Sequence, residues 1–197
     1  MTKQHTTRQH ILHEGLALAS VVGLDGVSFG TLATQAQLSK SGLFAHFQSR
    51  EDLQIQILTQ ATELFVAEVI APAREAPAGL PRLRALMERW LNWAPRSGLP
   101  GGCPFVAGAA EFDDSEGPVR DALVQLQEQW FATFQRFVAE AVACGHLRMD
   151  LDSAQFTWEA FGIYLAHHFT SRLLRDTLAD QRALKAFETL VAASQAG

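Results

Sequence analysis

The residues best suited to chemistry lie in one short run, Ser39-Lys40-Ser41-Gly42. They are small, hydroxylated and positive, and a helix meant for burial rarely begins that way. Small residues permit close approach to a groove, and hydroxyls and an ammonium group meet phosphates or base edges. The first turn of a helix also favours anions. A second group is aromatic. Trp90, Trp93, Phe105, Phe112, Trp130 and Phe134 flank the irregular stretch Pro95–Gly102. That inventory suits either an apolar pocket for a small organic ligand or an ordinary core. Cys103, in the same Gly-rich stretch, is a thiol for oxidants or electrophiles, or else a small buried hydrophobe. His167-His168 places an imidazole in a pocket, at a subunit seam or in solvent. No CxxC, HExxH or nucleophile-elbow pattern occurs, so no metal site or hydrolytic triad is predicted.

The elements that position these groups read almost entirely as helix. Ile11, Leu12, Leu16, Ala19 and Val22 recur near a 3.6-residue period, predicting a helix from about Thr7 to Val22. Gly23 ends it as a left-handed C-cap, and Asp25-Gly26 turns the chain. Ser28 caps a short helix to about Ala36, and Ser39 caps another to about Phe47. Only Gln37-Leu38 separates the two. Leu43, Phe44 and Phe47 form the face that pins the second to its neighbours. Ser49 caps a fourth helix, with Glu51 and Asp52 where its dipole favours them, and it ends near Pro72. Helices are then predicted over Pro81–Trp93, from Pro118 to near Gly145, Ser153–Arg175 and Asp180–Ala193, with a short apolar piece Phe105–Phe112. Asp152 is the cap of the penultimate one. That helix is apolar on most of its circumference, so one side faces the core and another a second subunit. The residues assigned to that dimer seam are Trp158, Phe161, Leu165, Phe169, Leu173 and Phe187. No period-two run of convincing length appears, and the expected class is all-α.

The chain has 197 residues, 48% of them apolar, enough for a substantial core and against wholesale disorder. Two cysteines cannot build a disulfide scaffold. The polar start, Met1–His10, has no signal-peptide core, and no uninterrupted charge-free run reaches about 18 residues, so a cytoplasmic protein without a membrane span is expected. The net charge of −5 hides an asymmetry. Residues 1–50 carry Lys3, Arg8, Lys40 and Arg50 against Glu14 and Asp25, whereas the remainder holds 12 basic and 19 acidic residues. A slightly basic module on an acidic body fits a polyanion partner for the first segment.

Three segments carry a family resemblance: Thr7-Arg8-Gln9-His10-Ile11-Leu12, Ser28-Phe29-Gly30-Thr31-Leu32-Ala33, and the run from Leu38 through Ser39-Lys40-Ser41-Gly42-Leu43-Phe44-Ala45-His46-Phe47 to Leu53. Over residues 6–54 the chain resembles the DNA-binding domain of the tetracycline-repressor (TetR) family. The resemblance implies a three-helix helix-turn-helix domain at residues 1–50, and a larger helical ligand-binding and dimerisation domain at residues 51–197. It also implies a homodimer on pseudo-palindromic double-stranded operator DNA, released by a small-molecule effector, with no cofactor and no enzymatic activity. The family's DNA-facing positions fall on Thr31, Ser39, Lys40, Ser41, Gly42, Phe44, His46 and Arg50. Two positions depart from the usual pattern. Phe44 stands where Tyr is usual and has no hydroxyl for a phosphate, so it touches a thymine methyl or packs. Arg50 stands where Lys is frequent and keeps the charge. Thr31, in a first helical turn, is also a natural local cap.

For the second domain the expected ligand site is Trp90, Trp93, Cys103, Phe105, Phe112, Trp130 and Phe134, for an apolar or aromatic effector. The segment Gly101–Phe105 with Glu111-Phe112 resembles a stretch in a subgroup of TetR-like regulators. Two other readings stay open. One is a helical dimer of the same fold without DNA binding. The other is a cysteine-based sensor or enzyme using Cys103, in the enzyme case with His146 or His167.

Overall fold

The computed structural model describes residues 3–195, except the side chains of residues 3–7 and of Lys40. Among the described residues every regular element is helical, apart from one isolated bridge between Leu147 and Gln195. The chain forms two compact units, one of residues 1–64 with 94–127, the other of residues 65–93 with 128–197.

The first unit opens with α1 (Lys3–Val22), α2 (Phe29–Gln35), α3 (Lys40–Phe44) and α4 (Arg50–Phe65). Ile11, Leu16, Leu24, Leu32, Leu43, Leu53 and Ile57 are fully buried in it, and each such side chain contributes about 1.5–3 kcal/mol. Gly15 lets α1 and α4 approach closely, since a Cβ there would stand 2.8 Å from Ile57 Cδ1. Gly23 ends α1 with φ +80°, as its expected capping role requires. α3 is shorter than the expected Lys40–Phe47. The backbone N–H of His46 bonds to Leu43 O at 2.9 Å in a tighter turn, and Phe47 is buried beyond the helix. The unit also includes α7 (Trp93–Arg96) from Ala94 onward, α8 (Pro104–Phe112) and the start of α9 (Pro118–Ala143). The loop before α8 is stitched to the end of α1: Gly101 N–H donates to Ser20 Oγ (3.0 Å) and Gly102 N–H to Ser20 O (2.8 Å). A Cβ on Gly101 would stand 1.7 Å from Ser20 O, so that position requires glycine.

The second unit begins as α4 passes into a π-helical turn, Val66–Ile70, and then α5 (Ala71–Ala73). Pro72 has no N–H for the carbonyl four residues back, and that carbonyl, Glu68 O, accepts from Arg89 Nη1 at 3.3 Å instead. α6 (Leu80–Leu91), the remainder of α9, α10 (Ser153–Arg172) and α11 (Ala179–Ala193) complete the unit. His146 Nδ1 accepts the Leu80 N–H at 3.0 Å and caps α6. Asp152 caps α10 as expected, accepting from Ala154 N and Gln155 N. Arg84 grips Glu188 with two hydrogen bonds of 2.8 and 2.7 Å, tying α6 to α11. α10 ends three residues before the expected Arg175, which takes a positive φ of 52°.

Candidate nucleic-acid interface

The helix-turn-helix is built by local caps. Ser28 and Thr31 form a reciprocal capping box: Thr31 N–H donates to Ser28 Oγ at 3.2 Å, and Ser28 N–H to Thr31 Oγ1 at 2.9 Å. Thr31 Oγ1 in turn donates to the carbonyls of Gly26 and Ser28. The exposed Thr31 side chain is therefore committed to the start of α2. Gln37 makes the linker tight by taking φ +55°, and Leu38 N–H returns to Ala33 O at 3.0 Å. Ser39 accepts the Gly42 N–H at 3.1 Å and caps α3. Its hydroxyl is 3.2 Å from that of Ser41.

Ser39, Ser41, Gly42 and Phe44 are all exposed, and His46 is half-buried. Gly42 fits beside the cap, because a Cβ there would lie 3.2 Å from Ser39 Oγ. Lys40 is the first residue of α3, and its side chain lies outside the described residues. Phe44 is 58% exposed and stacks on Phe29, with centroids 4.3 Å apart and planes at 29°.

Arg50 points back into the protein. Its Nε donates to Val27 O at 3.1 Å, and its Nη2 donates to Asp25 O and to Asp25 Oδ1, the latter at 2.8 Å. This guanidinium clamps the turn between α1 and α2. On the same turn, Glu111 Oε2 accepts from Leu24 N (2.8 Å) and Asp25 N (2.9 Å). Sequence reasoning quoted Glu111 and Phe29 within matched stretches but gave neither a role. Phe29 lay inside the matched motif, and Glu111 carried no periodic or capping signal.

The aromatic candidates divide between the units. Trp90, Trp93, Trp130 and Phe134 come together in the second unit with Phe65, Phe161 and Tyr164. Trp90 stacks on Tyr164 at 4.2 Å and 12°, and meets Trp130 edge-on at 4.9 Å. Trp93 Nε1 donates to the Tyr164 hydroxyl at 3.2 Å. Trp130 Nε1 is buried and has no hydrogen-bond partner among the described residues. Cys103, Phe105 and Phe112 belong to the first unit, where Cys103 is the N-cap of α8 and only 4% exposed.

The dimer candidates also divide. Trp158, Leu165 and Phe169 are exposed along α10 and Leu173 at its C-cap, with the open Gly162 between the first two. Phe161 is half-buried against Phe131 and Trp90. Phe187 is 1% exposed and packs edge-on with Phe156, so it is a core residue of its own unit. His167 Nε2 lies 2.6 Å from Asp180 Oδ1. Burial, then Arg172 and His167, holds His168 below the ordinary imidazole pKa. The described residues contain no cluster of three or more His, Cys, Asp or Glu fit to hold a metal. No helix among them is long and apolar enough to cross a membrane.

The family model for the tetracyclin repressor-like C-terminal domain matches residues 79–187, and that for bacterial regulatory proteins of the tetR family matches residues 11–57. The HTH-type transcriptional repressor DhaR of Mycobacterium sp. (strain GP1) is 26% identical over 145 residues, which is 73% of this chain and 71% of DhaR. Among solved structures, a TetR regulator from Chloroflexus aurantiacus superposes with a TM-score of 0.88 at 22% identity, over 98% of both chains. AibR, solved in complex with isovaleryl coenzyme A and operator DNA, superposes at 0.70 with 18% identity, over 95% of this chain and 97% of its own.

Proposed function

The chain belongs to the TetR family of bacterial transcriptional regulators, and from that premise we propose that it is a homodimeric repressor that leaves a pseudo-palindromic operator when a small molecule binds. Residues 1–50 act as the DNA-binding part and residues 51–197 as the effector-binding and dimerising part. The carrying observation is the α2–Gln37-Leu38–α3 geometry. It leaves Ser41, Gly42 and Phe44 exposed on the short helix that enters the major groove, while the caps hold that helix in register. The name of DhaR supports repression, and the complex of AibR supports a small organic effector.

The effector reading rests on the cluster around Trp90. An effector with an aromatic or apolar body and one hydrogen-bond acceptor satisfies Trp130 Nε1, whose burial without a partner is otherwise costly. Cys103 is buried, which favours packing over a sensing thiol.

A gel shift of the full chain on the promoter region of its own gene tests the DNA reading. A retarded complex with dimer stoichiometry is expected. No retardation at low salt, with the fold intact by circular dichroism, leaves the reading of a helical dimer without DNA binding.

A further inference from the structure

We propose that Phe44, braced by Phe29, reads thymine in the operator through the 5-methyl group; the inference rests on the DNA-binding reading above. Single exposed apolar side chains are ordinary on protein surfaces. Phe44 differs because it sits on the presenting helix and is held in place. Its ring stacks on Phe29 at 4.3 Å, and Phe29 is the first residue of α2, whose start the Ser28–Thr31 box fixes. A braced ring reaches a groove with less loss of side-chain freedom than a loose one.

The surrounding chemistry narrows what such a ring reads. Lys40-Ser41-Gly42-Leu43-Phe44 contains one cation, Lys40, which suits a guanine edge or a phosphate, and no Arg, Asn, Gln, Asp or Glu, the other side chains that recognise G, A or C edges by paired or accepting hydrogen bonds. Ser39 Oγ and Thr31 Oγ1 are engaged in caps, and the Arg50 guanidinium is engaged with Asp25 and Val27. Phe44 has no donor for a phosphate. The one apolar feature on the major-groove edges of the base pairs is the thymine methyl. An exposed phenyl ring beside Gly42 and Ala45, both small, matches that feature and no other base-edge feature. Phe44 is then the specificity residue, and Phe29 a positioning residue that acts through it.

The test uses the full chain and a duplex operator selected by it from a random-sequence pool. Each thymine is replaced singly by deoxyuridine, which removes the methyl and keeps the base pair. A thymine in each half-site is expected at which this change weakens the parent about four-fold, the value of one buried methyl. The same change leaves Phe44→Ala binding unaltered, and Phe44→Tyr keeps the sensitivity. Phe29→Ala reduces the methyl sensitivity without changing the slope of affinity against salt, which a general loss of structure would not spare. If no thymine is methyl-sensitive, or if the penalty persists undiminished in Phe44→Ala, the role of Phe44 is overturned while DNA binding stands. A pool from which the parent retains no sequence overturns the DNA-binding reading and this inference with it.

Discussion

Glu111 holds the backbone of Leu24 by a 2.8 Å hydrogen bond across 87 residues of sequence. The same carboxylate oxygen takes the N–H of Asp25, and a Cβ on Gly23 would fall 1.6 Å from Glu111 Oε1. One side chain of α8 thus grips the turn that separates α1 from α2. Arg50 grips that turn through Asp25 and Val27.

Glu111→Ala leaves the N–H groups of Leu24 and Asp25 without their acceptor, at a cost of about 1–2 kcal/mol. Gly23→Ala is destabilising as well, because φ +80° disfavours alanine and the new methyl displaces the carboxylate. The two effects are less than additive, since each removes the same contact. Urea unfolding of both single variants and the double variant checks this; full additivity argues against a shared contact.

Lys40→Ala lowers the slope of log affinity against log salt by about one, as expected for a lost phosphate contact. Arg50→Ala weakens binding through the turn it clamps and keeps the parent slope, because its guanidinium is committed within the protein. Fluorescence-anisotropy titrations over a range of salt separate the two. A slope change in Arg50→Ala equal to that of Lys40→Ala would assign it a phosphate.

Trp158→Glu or Phe169→Glu places a carboxylate at the centre of the exposed stripe on α10 and yields a folded monomer. These side chains are 66% and 54% exposed in the single chain, so its fold tolerates the change. Phe187→Ala instead costs about 3–5 kcal/mol of stability as a core truncation. Light scattering combined with thermal melts distinguishes them. Folded dimers from both glutamate variants would place the interface elsewhere.

His168 is held below the ordinary imidazole pKa, first by burial and then by Arg172 and His167. The unfolded chain therefore binds more protons than the folded one as pH falls below the unfolded value of about 6.5. The contribution of His168 is fully present above that value and is lost as pH falls through its depressed folded pKa. His168→Gln flattens this loss between about pH 7 and pH 5. Denaturation midpoints across that range check it, and an unchanged slope excludes His168 as the cause.

Gln37→Gly relieves a left-handed residue at φ 55° in an exposed linker. The strain of about 1–2 kcal/mol for a non-glycine residue there exceeds the added chain entropy of glycine, about 0.5–1 kcal/mol. A rise in melting temperature is expected, with DNA affinity unchanged. A lower melting temperature would show that the Gln37 side chain stabilises the linker.

What was legible in the sequence was local. Ser28, Ser39, Gly23 and Asp152 act within a few residues of themselves, so cap chemistry located the helix ends and the small, exposed turn of α3. Local patterning overran the ends of α3 and α10, where tertiary burial of Phe47 and a positive φ at Arg175 close the elements. Tertiary structure alone supplied the partners that lie far along the chain. Arg50 is long enough to reach either a phosphate or the turn between α1 and α2, and the fold puts two carbonyls and the Asp25 carboxylate within its reach. Glu111 was quoted in a resemblance without a role, because its partner is far along the chain. On α10 apolar residues occupy several faces, and periodicity cannot tell which face a helix turns to its own core. Packing buried Phe156 and Phe187 and left Trp158 and Phe169 outside, because a face is chosen by the neighbours that cover it and not by its own composition.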